Sequence, residues 1–225
     1  MRKCFLALFI VFITATASAS GYGNYDAKRL LTVSETPSGK KYGFDIAYLD
    51  RMLSDLSAHA KNYPVQFDTP QDRQRAIGDV TAFSGMLDLL INVPSPQPEL
   101  LVRAGELHGI GHNLGIAGSA EKANARFQKL LAIKPSDPRG NYMYGTFLAG
   151  TGKPALALPY LKQALAAGVT DAAYTIGMTY MFLGDKIQAL KNLEDYQRRR
   201  PGDTNVVKLI DAIRNGKVEF KQNPR

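Results

Sequence analysis

Two imidazoles four residues apart, His108 and His112, come nearest in this chain to residue types and a spacing that do chemistry. On a helix that spacing puts both rings on one face, where they can hold a transition metal once further ligands arrive. The neighbourhood offers few: Glu106 lies two residues away and points elsewhere, and no cysteine is at hand. Three readings stay open: surface or groove histidines, a weak metal candidate, and a contact that responds to pH because imidazole titrates near neutrality. The chain contains no G-x-S-x-G elbow, no H-E-x-x-H, no phosphate-binding glycine loop and no C-x-x-C. Ser84 falls inside a helical pattern rather than at a strand-to-helix turn, and Asp72 and Asp79 read as a cap neighbour and a solvated carboxylate. The expectation is a protein that binds, with no enzymatic activity and no cofactor.

The 225 residues are 45% hydrophobic and 21% charged, enough to bury a core and stay in solution. Arg2 and Lys3, the apolar run Cys4 to Ile13, and Ala17 and Ala19 at an A-x-A site read as a signal peptide cut after Ala19. The run is short for a membrane span, which needs about 20 apolar residues. Cys4, the only cysteine, opens that run rather than following it, so the mature chain is expected to have no disulfide or thiol chemistry and no lipid-anchor cysteine. The expected location is periplasmic or secreted, and export argues against a nucleic-acid partner despite a formal charge of +8. The longest basic run, Arg198 to Arg200, sits before Pro201, where a helix should end and cations favour the dipole.

The elements that hold the two histidines repeat. Gly111, Gly145 and Gly177 are spaced 34 and 32 apart, and so are Gly118, Gly152 and Gly184, and Ala123, Ala157 and Ala189. Phe127, Leu161 and Leu193 follow each alanine by four, and Pro135, Val169 and Pro201 lie eight further on. At these residues the chain resembles the tetratricopeptide repeat, with its W-x2-L-G-x2-Y, A-x3-F and P pattern. The copies read Leu107-x2-Ile110-Gly111-x2-Leu114, Asn141-x2-Tyr144-Gly145-x2-Leu148 and Ala173-x2-Ile176-Gly177-x2-Tyr180. The Trp is missing throughout, Asn141 is polar, and Val169 replaces a proline. A glycine inside a helix costs about 1 kcal/mol against alanine, so its recurrence predicts close helix approach against the alanine column. Gly118, Gly152 and Gly184 are expected to end the first helix of each copy in a left-handed turn.

The resemblance implies an all-α solenoid of three helix pairs with a concave face lined by the first helices. Carried along the repeat spacing, that face is His108, Tyr142 and Tyr174, then His112, Thr146 and Met178, with Arg139 at the edge and Met181 beyond. The implied function is capture of a peptide or protein partner there. The alternative is an assembly subunit of an envelope complex that stacks through its repeats, with self-association possible; a metal-binding protein using His108 and His112 ranks lower. The family's carboxylate-clamping groove uses Lys and Asn, which these positions lack. Gly105, Gly109 and Gly115 add to the glycines of the first repeat helix, predicting that it is the least stable of the array and tightens on binding.

The expected organisation is a signal peptide over 1–19, a mobile amino-terminal arm over 20–43, and a helical hairpin cap ending in a Pro-rich joint over 44–98. Three repeats follow over 99–203, divided as 104–137, 138–169 and 170–203, and then a capping helix and tail over 204–225. Within the arm, one short helix or strand is expected around Ala27–Val33. Thr69 is read as an N-cap with Pro70 in the first helical position.

Overall fold

The computed structural model describes residues 21–218, so the expected signal peptide and the last residues of the tail lie outside the described residues. Nine helices, one short 3-10 turn and one β-hairpin make up this part: the turn Ala27–Leu30, β1 Leu31–Thr36, β2 Gly39–Phe44, α1 Ile46–Ala60 and α2 Pro70–Ile91 come first. The repeats follow as α3 Pro98–Asn113 with α4 Ser119–Ile133, α5 Pro138–Gly150 with α6 Pro154–Ala166, and α7 Asp171–Phe182 with α8 Lys186–Arg199; α9 spans Thr204–Arg214. The helix starts carry the chemistry a start requires. Thr69 accepts from Asp72 N ahead of Pro70, Asp137 from Gly140 N ahead of Pro138, and Asp203 from the amides of Asn205 and Val206. Among the described residues no helix is long and apolar enough to cross a membrane.

Each repeat is a helix pair, and each pair packs on the next. Gly145 is where α5 meets α6: a Cβ there would stand 2.6 Å from Leu161 Cγ. Gly177 does the same against Leu193 at 2.7 Å. Ala157 and Ala189 are fully buried on the facing helices, as the alanine column requires. Burying a side chain such as Leu161 or Leu193 contributes about 1.5–3 kcal/mol, and only a bare backbone opposite lets it sit so deep.

The first copy departs from this register. Phe127 is larger than leucine and reaches up the helix to Gly105, where a Cβ would lie 2.6 Å from the ring, while Gly111 packs against Ser119 and Val80. The loop between α3 and α4 is longer than its counterparts, so Gly115 (φ +85°) ends the first helix, as Gly152 and Gly184 do in the later copies. Gly118 instead becomes the N-cap of α4. The glycines read as weakening α3 are therefore mostly placed: Gly105 makes room for a ring and Gly115 lies past the helix end. With α1, α2, α4 and α5 all against it, α3 is the most enclosed helix here, which removes the basis for calling it the least stable.

The core runs unbroken from Tyr22 to Ile176, and a second cluster of Met181, Ala189, Leu193, Val206, Ile210 and Ile213 closes the carboxy-terminal end under α9. At the other end the mobile arm is corrected. Residues 21–30 are wedged against α1 and α2: Leu30 is fully buried and Tyr22 is 2% exposed. The Tyr22 hydroxyl donates to Asp79 at 2.9 Å, the Tyr25 hydroxyl to Asp55 at 2.8 Å, and Asp26 N to the Tyr48 hydroxyl at 2.8 Å. Asp79 is thus an anchor rather than a solvated carboxylate, and burial raises its pKa above the usual range. Helices α1 and α2 meet through side chains such as Tyr48 and Phe83, and each packs on α3.

Candidate partner-binding face

The first helices α3, α5 and α7 lie side by side, and α1 extends the row beyond α3. Polar contacts fasten α1 in place. The Arg103 guanidinium donates to Asp50 through Nε at 2.7 Å and Nη2 at 2.8 Å, and to Glu99 through Nη1 at 3.1 Å. These bonds hold the Asp50 carboxyl below its ordinary range. Asn113 Nδ2 donates to the carbonyls of Ala60 and Lys61 at 3.0 and 2.9 Å, satisfying acceptors that the end of α1 leaves open. The open part of the row is then α5 and α7.

Five of the expected residues share this region. Tyr142 is half-buried, with Lys61 Nζ 5.9 Å from its ring centre. Arg139 donates to Glu106 at 2.9 Å and keeps 41% of its side chain exposed. The Thr146 hydroxyl donates back to the Tyr142 carbonyl at 2.8 Å, a bond within α5. Tyr174 is 37% exposed beside Tyr196 of α8, ring centres 5.4 Å apart; burial, with Asp203 nearby, raises its hydroxyl pKa. Met178 is half-buried one turn along α7. His112 is half-buried on α3, edge-on to Phe147 at 6.5 Å.

His108 and Met181 are corrected, because neither reaches the open face. His108 is 2% exposed, with Nε2 3.1 Å from Asp88 Oδ1. Helix α2 runs 22 residues against 15 for α4 and 13 for α6, and its last turns cover this position. Asp88 also accepts from Lys122 Nζ and Arg126 Nη2, each at 3.0 Å, so one carboxylate ties α2 to α3 and α4. Burial works to raise the Asp88 carboxyl, but the bonds from His108 and Lys122 overcome it and the pKa falls below its usual range. Burial likewise lowers the His108 pKa, against the pull of Asp88. Met181 is 3% exposed because α9 closes over it. The metal reading gains no third ligand: one imidazole is taken by Asp88, and among the described residues no group of three His, Cys, Asp or Glu stands together.

Lys61, Asn113 and Asp88 shape the face without having been singled out in the sequence, and Glu106, weighed there only against a metal site, pairs with Arg139 instead. Lys61 and Asn113 sit at helix ends, where polar residues are ordinary. Asp88 is 20 residues from its imidazole partner, and no local pattern links the two.

No family profile matches the chain. Human aspartyl/asparaginyl beta-hydroxylase is 32% identical over 89 residues, covering 40% of this chain but only 11% of that protein's length. Among solved structures, MamA superposes with a TM-score of 0.56 at 19% identity, over 67% of this chain and 86% of its own. TTC0263, a thermophilic TPR protein of Thermus thermophilus, gives 0.53 at 17%, over 75% and 91%. YrrB, described as a TPR protein with an unusual peptide-binding site, gives 0.50 at 17%, over 73% and 80%. With glycine and alanine columns at the helix crossings and pair nested on pair, the chain has the tetratricopeptide-repeat fold.

Proposed function

We propose that this is an exported, non-enzymatic binding protein that holds a peptide or a segment of a protein against α5 and α7. The observation that carries the reading is the accessible run of Tyr142, Thr146, Tyr174 and Met178 on two adjacent helices, with Lys61 and Arg139 at its rim. Tyrosine and methionine offer large, adaptable contact area at modest ordering cost, and arrays of helix pairs present concave surfaces suited to extended partners. Arg139 is already paired with Glu106, and Lys61 at the rim favours a partner carrying a carboxylate. Export rests on the basic start, the apolar run and the A-x-A site.

Peptides selected on the purified chain from a displayed library test the binding reading. Their affinity will fall about tenfold or more on Tyr142→Ala with Tyr174→Ala, as expected when clustered aromatic anchors are truncated. It will hold on Lys162→Ala, on a second helix, and circular dichroism will show all variants folded at the assay temperature. Selected peptides indifferent to the tyrosines would move the site off this face. Fractionation with mass spectrometry of the amino terminus tests export: a chain that keeps Met1 in the cytoplasm contradicts it.

A further inference from the structure

The amino-terminal hairpin holds three large apolar side chains in the open: Leu31 is 55% exposed, Val33 56% and Tyr42 74%. The register sets Val33 opposite Tyr42 and Leu31 opposite Phe44, so the four share one face of the ribbon, with Phe44 half-buried against the core where the ribbon joins the helices. The strands pair only with each other, and a two-stranded ribbon by itself is marginal in water. Around it stand five exposed cations, Lys28, Arg29, Lys40, Lys41 and Arg51, none in an ion pair among the described residues. Arg29 and Arg51 lie over the Tyr48 ring, at 4.7 and 5.5 Å from its centre. Alternation sets Lys40 on the apolar face, where it lies opposite Glu35, and Lys41 on the reverse face, while Asp26 and Asp45 accept backbone amides as caps.

We infer that this hairpin lies flat on an anionic lipid surface, its apolar face at headgroup depth and the surrounding cations against the phosphates. Three exposed apolar side chains are far too few for a self-standing protein interface, which takes about 20–30 residues a side. A bilayer asks only for a small amphipathic patch with cations beside it, and tyrosine favours that boundary. The cation excess supplies the complementarity to anionic headgroups, each cation strengthening binding about fivefold and less in salt. This surface is separate from the face on α5 and α7 and stands or falls independently of it.

The test is co-sedimentation of the purified chain, its amino terminus defined by mass spectrometry, with vesicles of phosphatidylcholine alone or mixed with phosphatidylglycerol. The chain will bind the mixed vesicles and not the neutral ones. Lys40→Gln, on the apolar face, will weaken binding about fivefold. Leu31→Ser, Val33→Ser and Tyr42→Ser together will abolish it. All these side chains are exposed, so the melting temperature of the variants will match the wild type and keep the comparison valid. No binding, equal binding to both vesicles, or variants that bind like wild type would overturn the proposal. A dimer in sedimentation velocity that the triple serine variant dissolves would give the face to a second copy and overturn it as well.

Discussion

Alanine placed at two glycines of one helix will move stability in opposite directions. At Gly105 the new Cβ stands 2.6 Å from Phe127 Cε1 and 2.8 Å from Cδ1 and Cζ. The ring is 1% exposed and boxed in by Tyr144 at 5.6 Å and Phe147 at 6.1 Å, so it has nowhere to turn. Overpacking of that kind costs about 1–3 kcal/mol, and the gain in helix propensity returns about 1 kcal/mol, for a net loss near 1 kcal/mol. At Gly109 the nearest atom is Phe147 Cδ2 at 3.7 Å, an ordinary contact, so only the propensity gain of about 0.4–1 kcal/mol remains. The two variants will differ by about 2 kcal/mol, or roughly 4–8 °C in Tm for a chain of this size. Thermal unfolding and urea titration followed by circular dichroism and tyrosine fluorescence will show it. Two probes are needed because repeat arrays can lose two-state behaviour. A Gly105→Ala protein as stable as Gly109→Ala would refute the claim that the ring, and not helix propensity, dictates glycine at 105.

Two further outcomes follow from the ion clusters. His108 keeps a lowered pKa beside Asp88, Lys122 and Arg126, so as pH falls below its ordinary 6.5 the unfolded chain takes up a proton that the folded one refuses, and stability drops. Urea midpoints at about pH 7.5 and 5.5 will fall more for wild type than for His108→Gln; equal falls would mean that His108 is not held neutral. Arg103→Ala will cost about 1–3 kcal/mol, less than for a fully buried pair because Asp50 and Glu99 reach water, and Arg103→Lys will not restore it because the guanidinium fork is lost. Because Arg103 depresses the Asp50 pKa, the gap between wild type and Arg103→Ala will be full above about pH 4 and narrow in more acid solution, which urea midpoints will read.

The repeat helices were legible because each copy imposes the same local demand. Gly145 against Leu161 and Gly177 against Leu193 are short-range pairings, set by one helix folding back on the next, so they leave a periodic trace. The start at Thr69 ahead of Pro70 was legible for the same reason. The segment 21–30 carries no such trace: tyrosines among glycines read as a loose arm, yet Tyr22 finds Asp79, 57 residues away. In the binding face, Tyr142, Thr146, Tyr174 and Met178 follow from repeat spacing, whereas His108 and Met181 are withdrawn by the long α2 and by α9, elements outside the repeat.

The order of residues by itself determined where helices start, where they turn and which small residues let successive pairs close on each other, because those are interactions between near neighbours in the chain. Only the tertiary structure decided which side chains of the first helices stay in the open, which carboxylate each cation meets, and that the amino-terminal segment is built into the core. Burial is set by whatever else arrives at a surface, and the arriving residues here come from tens of positions away.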